Sequence, residues 1–242
     1  MTEDIYAKQR LLLDPNDSEI ADKRIIVYGA GSGGSHITMG LCKLGFKNIQ
    51  VIDFDTIEPT NLPAQFYPSC HYDSSGTLTE TDYNANKIFK VNVLKELCKQ
   101  MTGTDIEIRN EKLDEKSILE YAKDTIHIMA FDSIEARKMI FNNLKGYPLH
   151  YIDGRTGGFN YEKYYIYMTN EEAIKEYEKT FEGTFSDLKC GEKCLWALNL
   201  ADSSKTLADV IKITKGLVPT FFFKSHLLSD INMVRWNENK RF

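Results

Sequence analysis

Between Arg24 and Asp55 the hydrophobic pattern changes period twice, and that limits the folds open to the chain. A β-branched run, Ile25-Ile26-Val27-Tyr28, breaks at Gly29-Ala30-Gly31-Ser32-Gly33-Gly34, and apolar residues resume at helical spacing through Ile37, Leu41 and Leu44. After Gly45 a second short run, Ile49-Gln50-Val51-Ile52, ends in Asp53-Phe54-Asp55. The spacing predicts strand, glycine turn, helix and strand, the first half of a βαβ unit. Gly29 permits the tight exit from the strand, Gly31 lets backbone N–H groups approach a phosphate, and Gly34 lets the helix pack close to the sheet. Gly33 lies in the same turn. The helix N-terminus, with unpaired N–H groups and a partial positive charge, then faces an anion. Asp53 or Asp55 stands where ribose hydroxyls would donate to a carboxylate. The reading is nucleotide binding, against the plainer one of a glycine-rich turn that only packs.

Length and composition exclude several classes. The 242 residues, 42% hydrophobic and 27% charged, describe a soluble globular chain able to bury a substantial core. The net charge is −5 and no block of Lys or Arg occurs, so nucleic acid is not an expected partner. No window approaches the roughly 18 apolar residues of a membrane span, and Met1-Thr2-Glu3-Asp4 lacks the apolar core of a signal peptide. Five dispersed cysteines fit reduced thiols and a cytoplasmic location.

Thr56 to Phe66 reads as a loop because of Pro59 and Pro63, and it starts where a ligand at the strand's carboxyl end would sit. Gly29 to Gly34, then Val51-Ile52-Asp53-Phe54-Asp55-Thr56-Ile57-Glu58, then Asn61-Leu62 with Gln65, together resemble the adenylation domain of the ThiF, MoeB and ubiquitin-activating enzyme superfamily. The signature there is GxGxxG, an acid pair, and E-x-x-N-L-x-R-Q. The likeness continues through a helix pattern over Asp82 to Lys99, with Lys87 near its start, and a strand over Thr104 to Ile108. An apolar strand, Ile126 to Phe131, leads into Asp132 with Arg137 five residues on, and Tyr151 to Gly158 is a strand with a glycine-rich exit. The resemblance covers about residues 5 to 165 and is greatest to small ThiF-like proteins of phages and mobile elements.

The resemblance implies an α/β fold with a Rossmann-like, mostly parallel twisted sheet covered by helices on both faces. It implies one domain over 1–242, with an N-terminal helical arm (1–23), an insertion loop (68–81) and a C-terminal helical and strand extension (166–242). Carried over residue by residue, Gly29, Gly31 and Gly34 would line the phosphates of ATP and Asp55 would hold the ribose. Asn61 and Gln65 would reach phosphate or ribose, Lys87 would neutralise phosphate charge, and Asp132 would sit by Mg²⁺. Lys8 or Arg10 would act across a homodimer. The implied reaction is ATP-dependent adenylylation of a carboxylate on a small ubiquitin-like or sulfur-carrier protein or a peptide. Ala64 departs from the pattern, standing where the signature has arginine. Lys87, Lys90, Lys8 and Arg10 are the cations available to replace it. Two other readings stay open: a nucleotide-binding interaction module without turnover, for which Ala64 speaks, and an NAD-dependent oxidoreductase, which the glycine turn and the acids fit equally.

The remainder says less. The polar stretch 68–81 reads as a surface loop or a lid, and the adjacent Cys70 and His71 do not make a metal site. Cys190 and Cys194 are spaced C-x-x-x-C with no second pair, so no structural zinc is expected; Cys190 is either an acyl-accepting thiol or an ordinary half-buried cysteine. Glu171 to Glu182 reads as a helix, Leu195 to Ile211 as helices covering the sheet or forming a dimer face, and Pro219 to Leu227 as a final strand.

Overall fold

The first strand after Arg24 has all four residues buried, which places it in the middle of a sheet covered on both faces. The computed structural model describes residues 6–14, 16–72, 78–83, 87–182, 195–229 and 232–235. In chain order the first half comprises α1 (Ser18–Ala21), β1 (Ile25–Tyr28), α2 (Ser32–Leu44), β2 (Ile49–Ile52), a 3-10 turn (Pro59–Asn61), β3 (Cys70–Tyr72), β4 (Leu78–Glu80), α3 (Lys90–Thr102) and β5 (Glu107–Arg109). The second half comprises β6 (Ile126–Met129), α4 (Ile134–Leu144), β7 (His150–Gly157), β8 (Asn160–Tyr167), α5 (Glu171–Glu178), a 3-10 turn (Lys179–Phe181), α6 (Trp196–Thr214), β9 (Phe222–His226) and β10 (Asn232–Arg235).

Eight strands form one mixed sheet in the order β10-β9-β8-β7-β6-β1-β2-β5. The five strands from β5 to β7 are parallel, with Ile25 opposite both Ile49 and Ile126. A two-residue turn at Gly158-Phe159, with Gly158 at φ 59°, reverses the chain into β8, and β8, β9 and β10 continue antiparallel. Successive side chains of β1 enter different cores. Ile25 and Val27 join Ile37 and Leu41 of α2, Val91 and Leu94 of α3, and Val210 of α6. Ile26 and Tyr28 join Ile140, Phe141 and Leu144 of α4 with Tyr177 of α5. Thirteen-residue helices such as α2 and α3 are marginal alone in water. Burial of each large apolar side chain, about 1.5–3 kcal/mol, is what holds them. The sheet is thus mostly parallel and covered on both faces by helices.

Several boundaries differ from those the sequence suggests. The helix expected over Asp82 to Lys99 is not continuous: α3 starts at Lys90, because Ile88 and Phe89 pair with the loop after β2, the Ile57 amide donating to the Ile88 carbonyl at 2.8 Å and Phe89 bridging to Thr56. Lys87, with φ 42°, sits outside the helix. The helix over Glu171 to Glu182 ends at Glu178 and finishes as a 3-10 turn. The single tail strand is a hairpin of β9 and β10. Within 68–81, β3 and β4 pair as a hairpin, tied at its base by the Tyr83 hydroxyl donating to the Pro68 carbonyl at 2.6 Å. Residues 6–13 form hydrogen-bonded turns anchored by the Gln9 side-chain amide on the Leu44 carbonyl (3.0 Å); of Leu11, Leu12 and Leu13 only Leu13 is buried. Cys190 and Cys194 lie outside the described residues. No helix among the described residues is long and apolar enough to cross a membrane.

Candidate active site

The glycine turn builds one wall of a cleft at the carboxyl ends of the parallel strands. Gly29 has φ 104°, and a Cβ there would lie 2.7 Å from the Ala130 carbonyl oxygen, so only glycine fits between β1 and β6. At Gly34 a Cβ would fall on the Gly29 carbonyl itself. A Cβ on Gly31 would meet nothing within 4 Å, and α2 begins there with no side chain capping its N-terminus. Its first N–H groups therefore open onto the cleft, the arrangement that binds an anion.

The two acids after β2 divide into different tasks. Asp53 braces the turn, its Oδ2 accepting from the Ala30 amide at 2.6 Å and its Oδ1 from the Asp55 amide at 2.7 Å. Burial raises its pKa, and those two N–H groups pull it back. Asp55 is half exposed and accepts from Lys90 Nζ at 3.0 Å. The following loop is locked onto the turn by the Tyr67 hydroxyl on the Ala30 carbonyl (2.5 Å) and the Phe66 amide on Ser35 Oγ (3.0 Å). That lock turns Gln65 into the cleft, with its Oε1 buried and without a hydrogen-bond partner among the described residues. Ala64 presents its carbonyl to the Asn199 side-chain amide of α6 at 3.0 Å.

The cleft is open to solvent and is lined by Gly31, Ser32, Gly33, Asp53, Asp55, Gln65, Lys90, Ala130, Phe131, Asp132, Arg137, Gly154, Thr156 and Asp202. Of the residues singled out in the sequence, the glycine turn, Asp53, Asp55, Gln65 and Asp132 meet here. Asn61 does not line it; its Oδ1 accepts the Glu58 amide at 3.1 Å as a cap of the 3-10 turn. Lys87 does not line it either, and Lys90, the first residue of α3, reaches the cleft in its place. Lys8 is exposed, and Arg10 borders a separate groove with Leu11, Leu12 and Leu13.

The far wall was less legible in the sequence. Arg137 of α4 is 2% exposed, pairs with Asp153 Oδ1 and donates to the Phe131 carbonyl. Asp153 Oδ2 accepts from Arg155 Nε at 2.6 Å and from the Tyr177 hydroxyl at 2.7 Å. Arg155 also donates to Thr180 Oγ1 at 3.1 Å and lies over the Tyr164 ring at 4.9 Å. Behind this, Lys163 pairs with Asp209, and burial lowers the lysine pKa to about 7. A repeating signal was present in α6, where Asn199, Asp202, Ser203, Thr206 and Asp209 recur at helical spacing and are all buried.

Chemically, the cleft offers N–H groups and a lysine for an anion, carboxylates at Asp55 and Asp132, and an acceptor at Gln65. No cluster of three or more metal-ligating side chains occurs among the described residues. That donor set suits Mg²⁺ carried in with phosphates, since this ion is commonly held by one or two carboxylates plus substrate oxygens. Asp132, exposed at the end of β6, is the carboxylate that would hold it.

A profile described as the ThiF family matches residues 6–193. The NEDD8-activating enzyme E1 catalytic subunit of Caenorhabditis elegans is 30% identical over 141 residues, 58% of this chain and 30% of that protein. The SUMO-activating enzyme subunit uba-2 of the same organism is 31% identical over 117 residues, 48% of this chain and 17% of its own length. The chain thus spans less than a third of the length of these curated relatives. Among solved structures, Escherichia coli MccB with ATP superposes with a TM-score of 0.70 at 15% identity, covering 97% of this chain and 72% of MccB. MccB with AMPCPP and MccA gives 0.70 at 16%, covering 100% and 73%. At such identity the likeness speaks for the fold alone. With the family match extending over most of its length and its curated relatives drawn from E1-type activating enzymes, the chain belongs to the ThiF family.

Proposed function

We propose that the cleft binds ATP with Mg²⁺ and adenylylates a carboxylate, the C-terminus of a small ubiquitin-like protein or of a peptide. The observation that carries this reading is the uncapped N-terminus of α2 opening into a cleft that also holds Lys90, Asp55 and Asp132. In this reading a carboxylate oxygen of the substrate attacks the α-phosphorus, the bond from that phosphorus to the bridging oxygen breaks, and pyrophosphate leaves. The nucleophile is already ionised at neutral pH, so no general base is needed and the protein's work is positioning and charge stabilisation. Asp55 would take the ribose hydroxyls. Asp53 would keep the glycine turn in shape, and the α2 N–H groups with Lys90 would hold phosphate oxygens. Lys90 supplies a cation where the chain has Ala64 in place of the signature arginine. A homodimer would let Lys8 or Arg10 of one protomer approach the cleft of its partner.

Nucleotide choice tests this directly. Calorimetric titration is expected to give saturable binding of ATP in the presence of Mg²⁺ and none of NAD. Binding of NAD alone would replace adenylylation with dinucleotide chemistry.

A further inference from the structure

We propose that Asp202 binds the phosphates of the nucleotide in its protonated form, donating its carboxyl O–H to a phosphate oxygen, so that nucleotide binding takes up a proton from solvent. The proposal rests on the ATP reading of the same cleft and adds one residue and one proton to it.

Asp202 lines the cleft from α6 and is 3% exposed, yet its Oδ1 has no hydrogen-bond partner among the described residues. The carboxyl reaches the glycine turn itself. Its Oδ2 lies 3.9 Å from where a Cβ on Gly33 would stand, and only 2.7 Å from one on Gly154, so the glycine of β7 makes the room that the carboxyl fills. Gly33 belongs to the first turn of α2, whose N–H groups have no side-chain cap. An anion seated on those N–H groups lies beside Asp202, and a like charge at that range disfavours the ionised carboxyl.

The charge balance of the cleft points the same way. Its lining carries Asp53, Asp55, Asp132 and Asp202 against Lys90 and Arg137, and these two cations already have carboxylate partners, Lys90 in Asp55 and Arg137 in Asp153. A triphosphate brings further negative charge into this acid-rich space. Mg²⁺ at Asp132 answers part of it. A proton on Asp202 turns the repulsive contact nearest the glycine turn into a donor, since a protonated carboxyl carries an O–H.

The carboxyl is poised for that change. Burial pushes it up to about 7, against the pull of Arg137 and Lys163. Above pH 7 the empty cleft therefore holds mainly the ionised form, and a neighbouring phosphate raises the carboxyl further. Binding then draws in a proton and weakens as the pH rises. Other groups face Asp202 from the elements packed around it: Arg137 of α4, Tyr161 and Lys163 of β8, and Asp209 along the same face of α6. From α2, His36 lies against Trp196 of α6, while β7 presents Gly154 and Thr156 to the cleft. Burial lowers His36 and brings Lys163 down to about 7, which makes these two the competing proton acceptors.

The test is calorimetric titration of the full chain with ATP in excess Mg²⁺, at about pH 7.5 and about pH 8.5, in two buffers of different ionisation heat, which counts the protons taken up. A phosphate's own second pKa, about 6, lies below this window. The wild-type protein is expected to take up close to one proton per ATP and to lose about five- to tenfold in affinity over that unit of pH. Asp202→Asn, a neutral donor of the same volume, is expected to bind with no proton uptake and no pH dependence, and more tightly than wild type at the higher pH. ATP binding by the wild-type protein without proton uptake would overturn the proposal alone. So would uptake that survives in Asp202→Asn, which would belong to Lys163 or His36. Weaker binding by Asp202→Asn at both pH values would mean an ionised carboxylate holding the metal ion, and failure of both Asp202→Asn and Asp202→Ala to fold would mean that the fold itself uses the charge; either overturns it. ATP that does not bind at either pH would remove the nucleotide reading, and this proposal with it.

Discussion

Asp153→Ala is expected to destabilise the fold by about 3–5 kcal/mol, the cost of breaking a buried ion pair by removing one partner. Asp153 is 0% exposed and is the carboxylate on which Arg137 and Arg155 converge, with the Tyr177 hydroxyl completing the set. Without it, two guanidinium groups remain in a wall that excludes water. Domains of this kind are stable by only about 5–15 kcal/mol, so urea unfolding should show a clearly lowered midpoint. Asp153→Asn keeps acceptor geometry on one oxygen and is expected to lose less. An unchanged midpoint for Asp153→Ala would mean that the cluster is solvated and does not hold β7, α4 and α5 together.

Asp132→Ala is expected to do the reverse, leaving stability nearly intact while removing activity. Its side chain is exposed at the end of β6 and lines the cleft, so its truncation belongs with surface changes, which are usually within about 0.5 kcal/mol. Loss of one charge-stabilising group at the reacting centre costs about 10²–10³ in rate, read as pyrophosphate exchange. Unchanged exchange with an unchanged unfolding midpoint would remove Asp132 from the reaction.

The central βαβ unit was legible because its signals are local. A β-branched run, glycines at the required positions and an acid at the end of the next strand each constrain backbone geometry within a few residues. Gly29 and Gly34 illustrate this, since a Cβ at either would strike backbone. Lys90 and Lys87 show where such reasoning stops. Periodicity continues smoothly back to Asp82, yet the pairing of Ile88 and Phe89 with Ile57 and Thr56 holds those two residues out of a helix, so α3 starts at Lys90. The far wall was hidden for another reason. Arg137, Asp153 and Asp202 come from three elements distant in sequence, and an ion pair or an unpartnered carboxylate exists only once those elements are packed. The polar stripe of α6 was visible as spacing, but a polar stripe normally faces water. Only the cover of that face by α2, β7 and β8 makes it a buried wall of the cleft.

The account's central claim is tested most directly by ATP–pyrophosphate exchange with labelled pyrophosphate, offering small proteins or peptides with a free C-terminal carboxylate. The account predicts label entering ATP only when Mg²⁺ and such a carboxylate are both present, and none when the same C-terminus is amidated. ATP binding by the wild-type protein without exchange for any carboxylate offered would contradict it, and would leave a nucleotide-binding interaction module in place of an enzyme.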